Sequence, residues 1–199
     1  MSKNHENPSP RHAKGEDTRK KLVEAALGSF QAQGYRGTGL SQLLNESGFP
    51  RGSLYFHFPD GKEQLGVAAM QLARGEIGAG IDTAFEVAKN PTEALRLIAD
   101  GFAAELETSG FARGCPVTTV ALEAGDDTPG LRDACAQTYD DWIERLTAHL
   151  KAAGMGAARA GRLATFALSA IEGALILARS RRSTAPLYEA VDELSLLLK

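Results

Sequence analysis

Apolar residues recur at three- and four-residue steps along almost the whole chain, and no stretch of strict alternation competes with that period. Val23, Ala26, Leu27 and Phe30 fall at i, i+3, i+4 and i+7, one face of a helix that ends at Gly34. From Thr38 to Leu65 the pattern shortens to two brief helices around a tight turn at Gly48. In the second, Leu54 and Phe58 face inward while Arg51, Ser53, Tyr55 and His57 lie along the solvent side. Asp60, followed three residues later by Glu63, forms a capping box that opens a long connecting helix.

Every later signal is helical. Asn90, Pro91 and Glu93 combine a cap, a first-turn proline and a third-position acid, and Leu95, Ile98, Phe102 and Leu106 continue the stripe to Gly110. A short helix is predicted from Cys115 and Pro116 to Gly125. Another follows Thr128 and Pro129 through Trp142, Leu146 and Leu150 to Gly154. Leu163 to Ala178 is apolar nearly all round, so one side can serve the chain's own core and another a partner subunit. Leu163, Ala167, Ile171 and Ala174, with Leu187, Val191 and Leu194 of the last helix, are therefore assigned to a homodimer interface of four helices. The fold class is all-α: an N-terminal three-helix helix-turn-helix domain, then a helical dimerisation domain. The divisions are a flexible basic arm over 1–16, the helix-turn-helix over 17–69, and the remaining body over 70–199.

Two short helices presenting polar donors from a supported rod suit a DNA major groove, and the charge distribution agrees. The net charge of −3 hides a balance of nine Lys or Arg against six Asp or Glu in residues 1–62, and thirteen against nineteen in the rest. Phosphate attraction is local, so the basic segment sits where the helix-turn-helix lies. The arm either touches phosphate or a minor groove or is a tail without function.

Cys115 and Cys135 lack metal-type spacing and a disulfide framework, which fits a reducing cytoplasm. No apolar leader follows Met1. The longest apolar run is interrupted by Ser169, Glu172 and Gly173 and falls short of the roughly 20 residues of a membrane span, so no membrane partner is expected. Glu123, Asp126 and Asp127 cluster where loops and caps attract acids, with no histidine nearby to complete a metal site. Cys115 has no base at diagnostic spacing, and His149 stands alone in sequence. An enzyme is not expected, nor a metal or cofactor.

Gly34, Tyr35 and Thr38, then the run from Gly48 to Phe58, then Lys62, Glu63 and Leu65, resemble the DNA-binding domain of the TetR family of bacterial repressors from about Thr18 to Leu65. Arg113 to Glu123, Trp142, and Glu172 to Arg179 resemble the ligand-binding half of its LmrA/YxaF branch. The resemblance implies a dimeric repressor on a palindromic double-stranded operator, released by a small effector, a planar aromatic or an antibiotic. A regulator without such a switch and a thiol sensor using Cys115 and Cys135 are the alternatives.

On that resemblance, Thr38 either caps the second helix or also holds phosphate, and Arg51 is the first choice for a guanine contact. Gly52 lets the helix approach the bases, and Ser53 either donates to DNA or is a solvated position. Tyr55 and His57 match backbone-contacting positions, and Lys62 is a phosphate clamp. Phe56 is expected to pack on the small domain's core rather than on a thymine methyl. The turn at Asp60 and Gly61 is one residue longer than the commoner family pattern, and Leu44 replaces a small residue. Phe102, Leu106, Cys115, Val120, Trp142, Phe166 and Glu172 are placed around an effector cavity, with core filling as the alternative for each. Glu172 is expected to pair with Arg162 or Arg179 or to bind an effector hydroxyl or amine.

Overall fold

A computed structural model describes the backbone of residues 10–198 and the side chains from residue 15. The described residues form nine helices and no strand: α1 (Pro10–Gly37), α2 (Leu40–Ser47), α3 (Arg51–His57), α4 (Lys62–Val87), α5 (Pro91–Thr108), α6 (Pro116–Ala121), α7 (Pro129–Ala152), α8 (Ala157–Arg181) and α9 (Ala185–Leu197). α1 begins inside the stretch expected to be an arm. Pro10 is tolerated in a first turn, and Arg11, Ala13 and Lys14 do not oppose a helix, so the helical backbone extends back to it. Residues 1–9 of the expected arm lie outside the described residues.

Gly48 ends α2 in the left-handed region (φ 72°). Its N–H donates to the Asn45 carbonyl and the Phe49 N–H to the Leu44 carbonyl, a Schellman close that turns the chain directly into α3. Leu43, Leu44, Leu54 and Phe58 then join Leu22, Val23, Ala26 and Phe30 in the core of the head. The departure at Leu44 is absorbed there, since its side chain is buried.

α4 runs from the head into the body and packs most extensively on α7, which in turn packs on α8. Gly78 has no side chain to block Arg145, whose guanidinium pairs with Asp82 of α4 and Asp141 of α7. Asp141 also accepts from Arg74 at 2.8 Å; burial pushes its carboxyl up, but the Arg74 and Arg145 guanidiniums together hold it below the usual range. His149 is part of the same brace, its ring stacked on Phe85 and its Nε2 2.8 Å from Asp82. Asn90 caps α5 by accepting from the Glu93 N–H at 3.0 Å.

The capping box assigned to Asp60 and Glu63 does not form. Gly61 is the N-cap of α4, and the Asp60 N–H donates to the Gln64 side chain. Because the extra turn residue displaces Asp60, Glu63 is free to reach another helix.

The residues assigned to a dimer interface are also placed differently. Leu163, Ala167, Ile171 and Ala174, like Leu187, Val191 and Leu194, are all buried within the single chain, closing α8 and α9 onto their own core. The side of α8 left open carries Phe166, Ile176 and Leu177, which are 54%, 50% and 47% exposed. α8 itself, 25 residues long, is long and apolar enough by length and composition to cross a membrane, because the helix continues past the apolar run at both ends. In this fold its inward side packs on α7 and α9.

Gly34 interrupts α1 at φ 79°, and a Cβ placed there would lie 2.4 Å from the Glu123 carboxylate. Gly48→Ala should lower stability by roughly 1–2 kcal/mol, the cost of the left-handed region for an L-residue. Gly34→Ala should cost more because the carboxylate must also move. Urea unfolding of both variants measures the difference, and equal losses would mean that Glu123 yields freely.

Candidate nucleic-acid interface and inner cavity

α3 stands on Leu54 and Phe58, both buried, so its other side is presented to solvent. Arg51 and Gly52 open it and are exposed; Tyr55 follows at 57% exposure, with Ser53 and His57 half-buried. Arg51 Nη2 donates to Ser41 Oγ at 2.7 Å, bracing α3 against α2 and leaving the other guanidinium donors available. No atom lies within 4 Å of a Cβ placed on Gly52, so the helix is open there.

Two residues of the head differ from expectation. Phe56 is 80% exposed and sits edge-on to His57 with ring centroids 4.9 Å apart; it covers no core and belongs to the same surface as Tyr55. Leu54 and Phe58 already occupy the inward positions, leaving none for it. Thr38 is buried, and its hydroxyl donates to the Gly34 carbonyl at 2.8 Å. The N-cap of α2 is Gly39, so Thr38 does not cap that helix. It secures the turn after Gly34 instead.

Lys62 Nζ lies 4.4 Å from the centre of the Tyr35 ring, a cation–π contact, and partial burial lowers its pKa.

Besides the apolar packing of α1 on α4 and α6, polar contacts around the end of α1 join the head to the body. The Arg36 N–H donates to Glu123 Oε2 at 2.6 Å through the gap left by Gly34, and its guanidinium reaches Asp127 at 2.9 Å. Gln31 donates to the Gly114 carbonyl, and Arg179 of α8 to the Ala32 carbonyl, both at 2.9 Å. Glu63 accepts from the Gly130 N–H at 2.8 Å and so caps α7 from α4. The acids at 123 and 127, which the sequence offered only as loop and cap residues, are therefore joint residues.

Two spaces lie beyond this joint. An open cavity of about 370 Å³ is lined by Leu27 and Gln31 of α1, Glu76, Ile77 and Ile81 of α4, and Ile98, Phe102 and Glu105 of α5, among others. A smaller one of about 30 Å³ shares Ile77, Ile81, Ile98 and Phe102 with it and ends at Trp142 and Glu172. Of the residues placed around a cavity from sequence, Phe102, Trp142 and Glu172 line these spaces. Leu106, Cys115 and Val120 are buried in the core without lining either, and Phe166 faces outward from α8. The isoleucine pair at 77 and 81 was missed, although its four-residue spacing on α4 was a visible signal.

Glu172 pairs with neither Arg162 nor Arg179 in this structure. Its Oε2 accepts from Thr118 Oγ1 at 2.6 Å, and the Cys115 thiol also donates to it. Tyr139 lies 2.7 Å from Thr118 and extends the chain. Burial raises the Glu172 carboxyl, opposed by these two donors. Burial likewise pushes Cys115 well up, reinforced by the nearby carboxylate, and takes Cys135 up to about 11. Both thiols are buried and protonated at neutral pH, an unfavourable setting for a redox sensor. Among the described residues no cluster of His, Cys, Asp and Glu could hold a metal ion.

The family model for bacterial regulatory proteins of the tetR family matches residues 22–69, and that for the C-terminal domain of LmrA/YxaF-like transcriptional regulators matches residues 91–193. The chain is 34% identical to the HTH-type transcriptional regulator LmrA of Bacillus subtilis over 92% of its own length and 97% of the relative's. It is 31% identical to YxaF of the same organism over 92% and 96%. A TetR transcriptional regulator from Chloroflexus aurantiacus superimposes with a TM-score of 0.76 at 29% identity, covering 92% of this chain and 95% of that one. A TetR transcriptional regulator from Legionella pneumophila shares the fold with a TM-score of 0.82 at 20% identity, over 92% and 97%.

The joint makes a separable energetic prediction. Glu63→Ala should cost about 1 kcal/mol, the usual cost of losing a helix cap, whereas Asp127→Ala should cost less than about 1 kcal/mol because its ion pair is exposed. Chemical denaturation of the two variants checks the order.

Proposed function

The chain belongs to the TetR family of bacterial regulatory proteins, with an LmrA/YxaF-like C-terminal domain, and on that ground we propose a dimeric repressor that releases a palindromic operator when a small aromatic effector enters its cavity. It is a DNA-binding transcriptional regulator, and its relatives and structural neighbours are regulators rather than enzymes. We take 17–69 as the reading head and 70–199 as the effector-binding and dimerisation body; the two matched segments, 22–69 and 91–193, support that division. A cytoplasmic setting follows from the role.

The observation that carries the reading is the exposed run on α3. Arg51 has donors in the fork geometry that matches guanine O6 and N7. Gly52 allows close approach, Ser53, Tyr55 and His57 can donate to bases or phosphates, and Phe56 is available to a thymine methyl. Lys62 becomes a phosphate clamp by leaving Tyr35.

A partner copy would cover Phe166, Ile176 and Leu177, with Gly173 between them leaving open space for close approach. An effector that binds the released conformation better shifts the equilibrium toward it. The route we propose runs from Glu172 to Thr118 and Cys115, along α6, and from Glu123 to Arg36. α6 packs more extensively on α1 than on α4, which directs its movement to the head.

Selection of bound duplexes from a random DNA pool tests the reading. The wild type should enrich an inverted repeat, and Arg51→Ala should lose preference at one base pair per half-site, worth about 1–3 kcal/mol; no enrichment at low or moderate salt would sink it. For the dimer, Ile176→Asp should shift sedimentation from dimer to monomer, and an unchanged dimer would place the interface elsewhere.

A further inference from the structure

Every ionisable side chain lining the two spaces is acidic. Glu76 and Glu105 stand around the outer cavity and Glu172 ends the inner one, with no Lys, Arg or His in either lining. Glu105 has a surface partner in Arg113 at 3.4 Å, whereas no salt bridge among the described residues reaches Glu76 or Glu172. The walls between them are apolar: Ile77, Ile81, Ile98 and Phe102 line both spaces.

Glu172 is the informative member. A carboxylate taken out of water without a counter-ion is costly, and neutral donors offset only part of that cost. Thr118 and Cys115 supply two such donors, and no cation accompanies them. No salt bridge among the described residues reaches Glu172, and the outer cavity adjoins the inner space across Ile77, Ile81, Ile98 and Phe102. The inner space has room for a water-sized group, and the outer cavity falls at the lower end of the volume range usual for small-molecule sites. A primary ammonium is water-sized; a trimethylammonium is not.

We propose that the effector is a lipophilic primary amine whose ammonium pairs with Glu172 while its apolar frame lies in the outer cavity among Ile77, Ile81, Ile98 and Phe102. This rests on the reading of the cavity as the effector site. Glu76 and Glu105 attract the cation at the entrance, and the ammonium takes its place beside Glu172 as a hydrogen-bond donor competing with Thr118 and Cys115. Neutral or anionic molecules of the same shape gain the apolar contacts without the ion pair.

The full chain can be titrated with 2-naphthylmethylammonium, its N,N,N-trimethyl analogue, 2-naphthylmethanol and 2-naphthoate. Trp142, the single tryptophan of the chain, lines the inner space and reports occupancy by fluorescence. The primary ammonium should bind about tenfold more tightly than the alcohol and the trimethyl analogue, with naphthoate weakest. Glu172→Gln should reduce the preference for ammonium over alcohol to about threefold or less, whereas Glu76→Gln should retain most of it. Equal binding of alcohol and ammonium by the wild type, tighter naphthoate, or no quenching by any probe overturns the proposal without reference to a variant. Operator binding, followed in the same titration, separates the two readings. Ammonium-selective binding that leaves DNA bound supports the amine site and removes its role as a switch; operator release by the alcohol at the same concentrations as the ammonium supports the switch and removes the amine preference.

Discussion

The orientation of the head on the body depends on a carboxylate reaching a backbone amide through a gap that a Cβ would close. Glu123 accepts from the Arg36 N–H at 2.6 Å only because residue 34 is glycine and adopts φ 79°. A charged acceptor strengthens a hydrogen bond to a backbone donor. The accompanying contact of Arg36 with Asp127 is solvent-exposed and adds little. Around it, Gln31, Arg179 and Glu63 make further polar bridges. These bridges supplement the apolar packing of α1 on α4 and α6 and define the angle of the head on the body.

α6 lies between that joint and the cavity. Thr118 and Glu123 belong to the six-residue helix and its exit, so the hydroxyl that donates to Glu172 and the carboxylate that accepts from Arg36 are five positions apart. Such a short element moves as a unit. A change at Glu172 has a direct physical path to the turn at Gly34, with no need for the long α4 to bend. Thr38 is buried beside this turn, where its hydroxyl fixes the Gly34 carbonyl.

Much of this was legible in the sequence, and the rest was hidden for identifiable reasons. Helical period and glycine punctuation located the helices, since local backbone chemistry at Gly48 and at Asn90 determines where they stop and start. The inward pair Leu54 and Phe58 followed from their four-residue spacing, and with them the outward set headed by Arg51. Phe56 was misplaced because hydrophobicity alone suggests burial, whereas its position on the rod faces away from the core. Glu63 has good spacing for capping its own helix; only the tertiary fold brings the start of α7 within its reach. The interface residues failed for a related reason. A helix apolar all round has two candidate buried sides, and periodicity does not distinguish the chain's own core from a partner's. The larger aromatic at 166 lies on the outer side, while alanines at 167 and 174 let α8 pack closely on its neighbours. The amino-acid pattern of the cavity was partly visible at Phe102, Trp142 and Glu172, but which cation, if any, faced Glu172 was a question of three dimensions.

α8 connects these features because each of its sides meets something different. Its alanine side packs inward, Glu172 faces the cavity, Ile176 and Leu177 face out, and Arg179 holds the Ala32 carbonyl at the end of α1. If a partner copy covers the outward side, α8 becomes the part least free to move, because displacing it would disturb both subunits. Glu172 is then a fixed anchor and α6 the element that responds to it. A ligand competing for the carboxylate would act on Thr118 and Cys115 rather than on α8. Arg179 would meanwhile keep one side of α1 tied to the frame. The Arg36 contact at Glu123 is carried by α6, while Gln31, Arg179 and Glu63 make the other polar bridges, so a displaced α6 would act first on the end of α1.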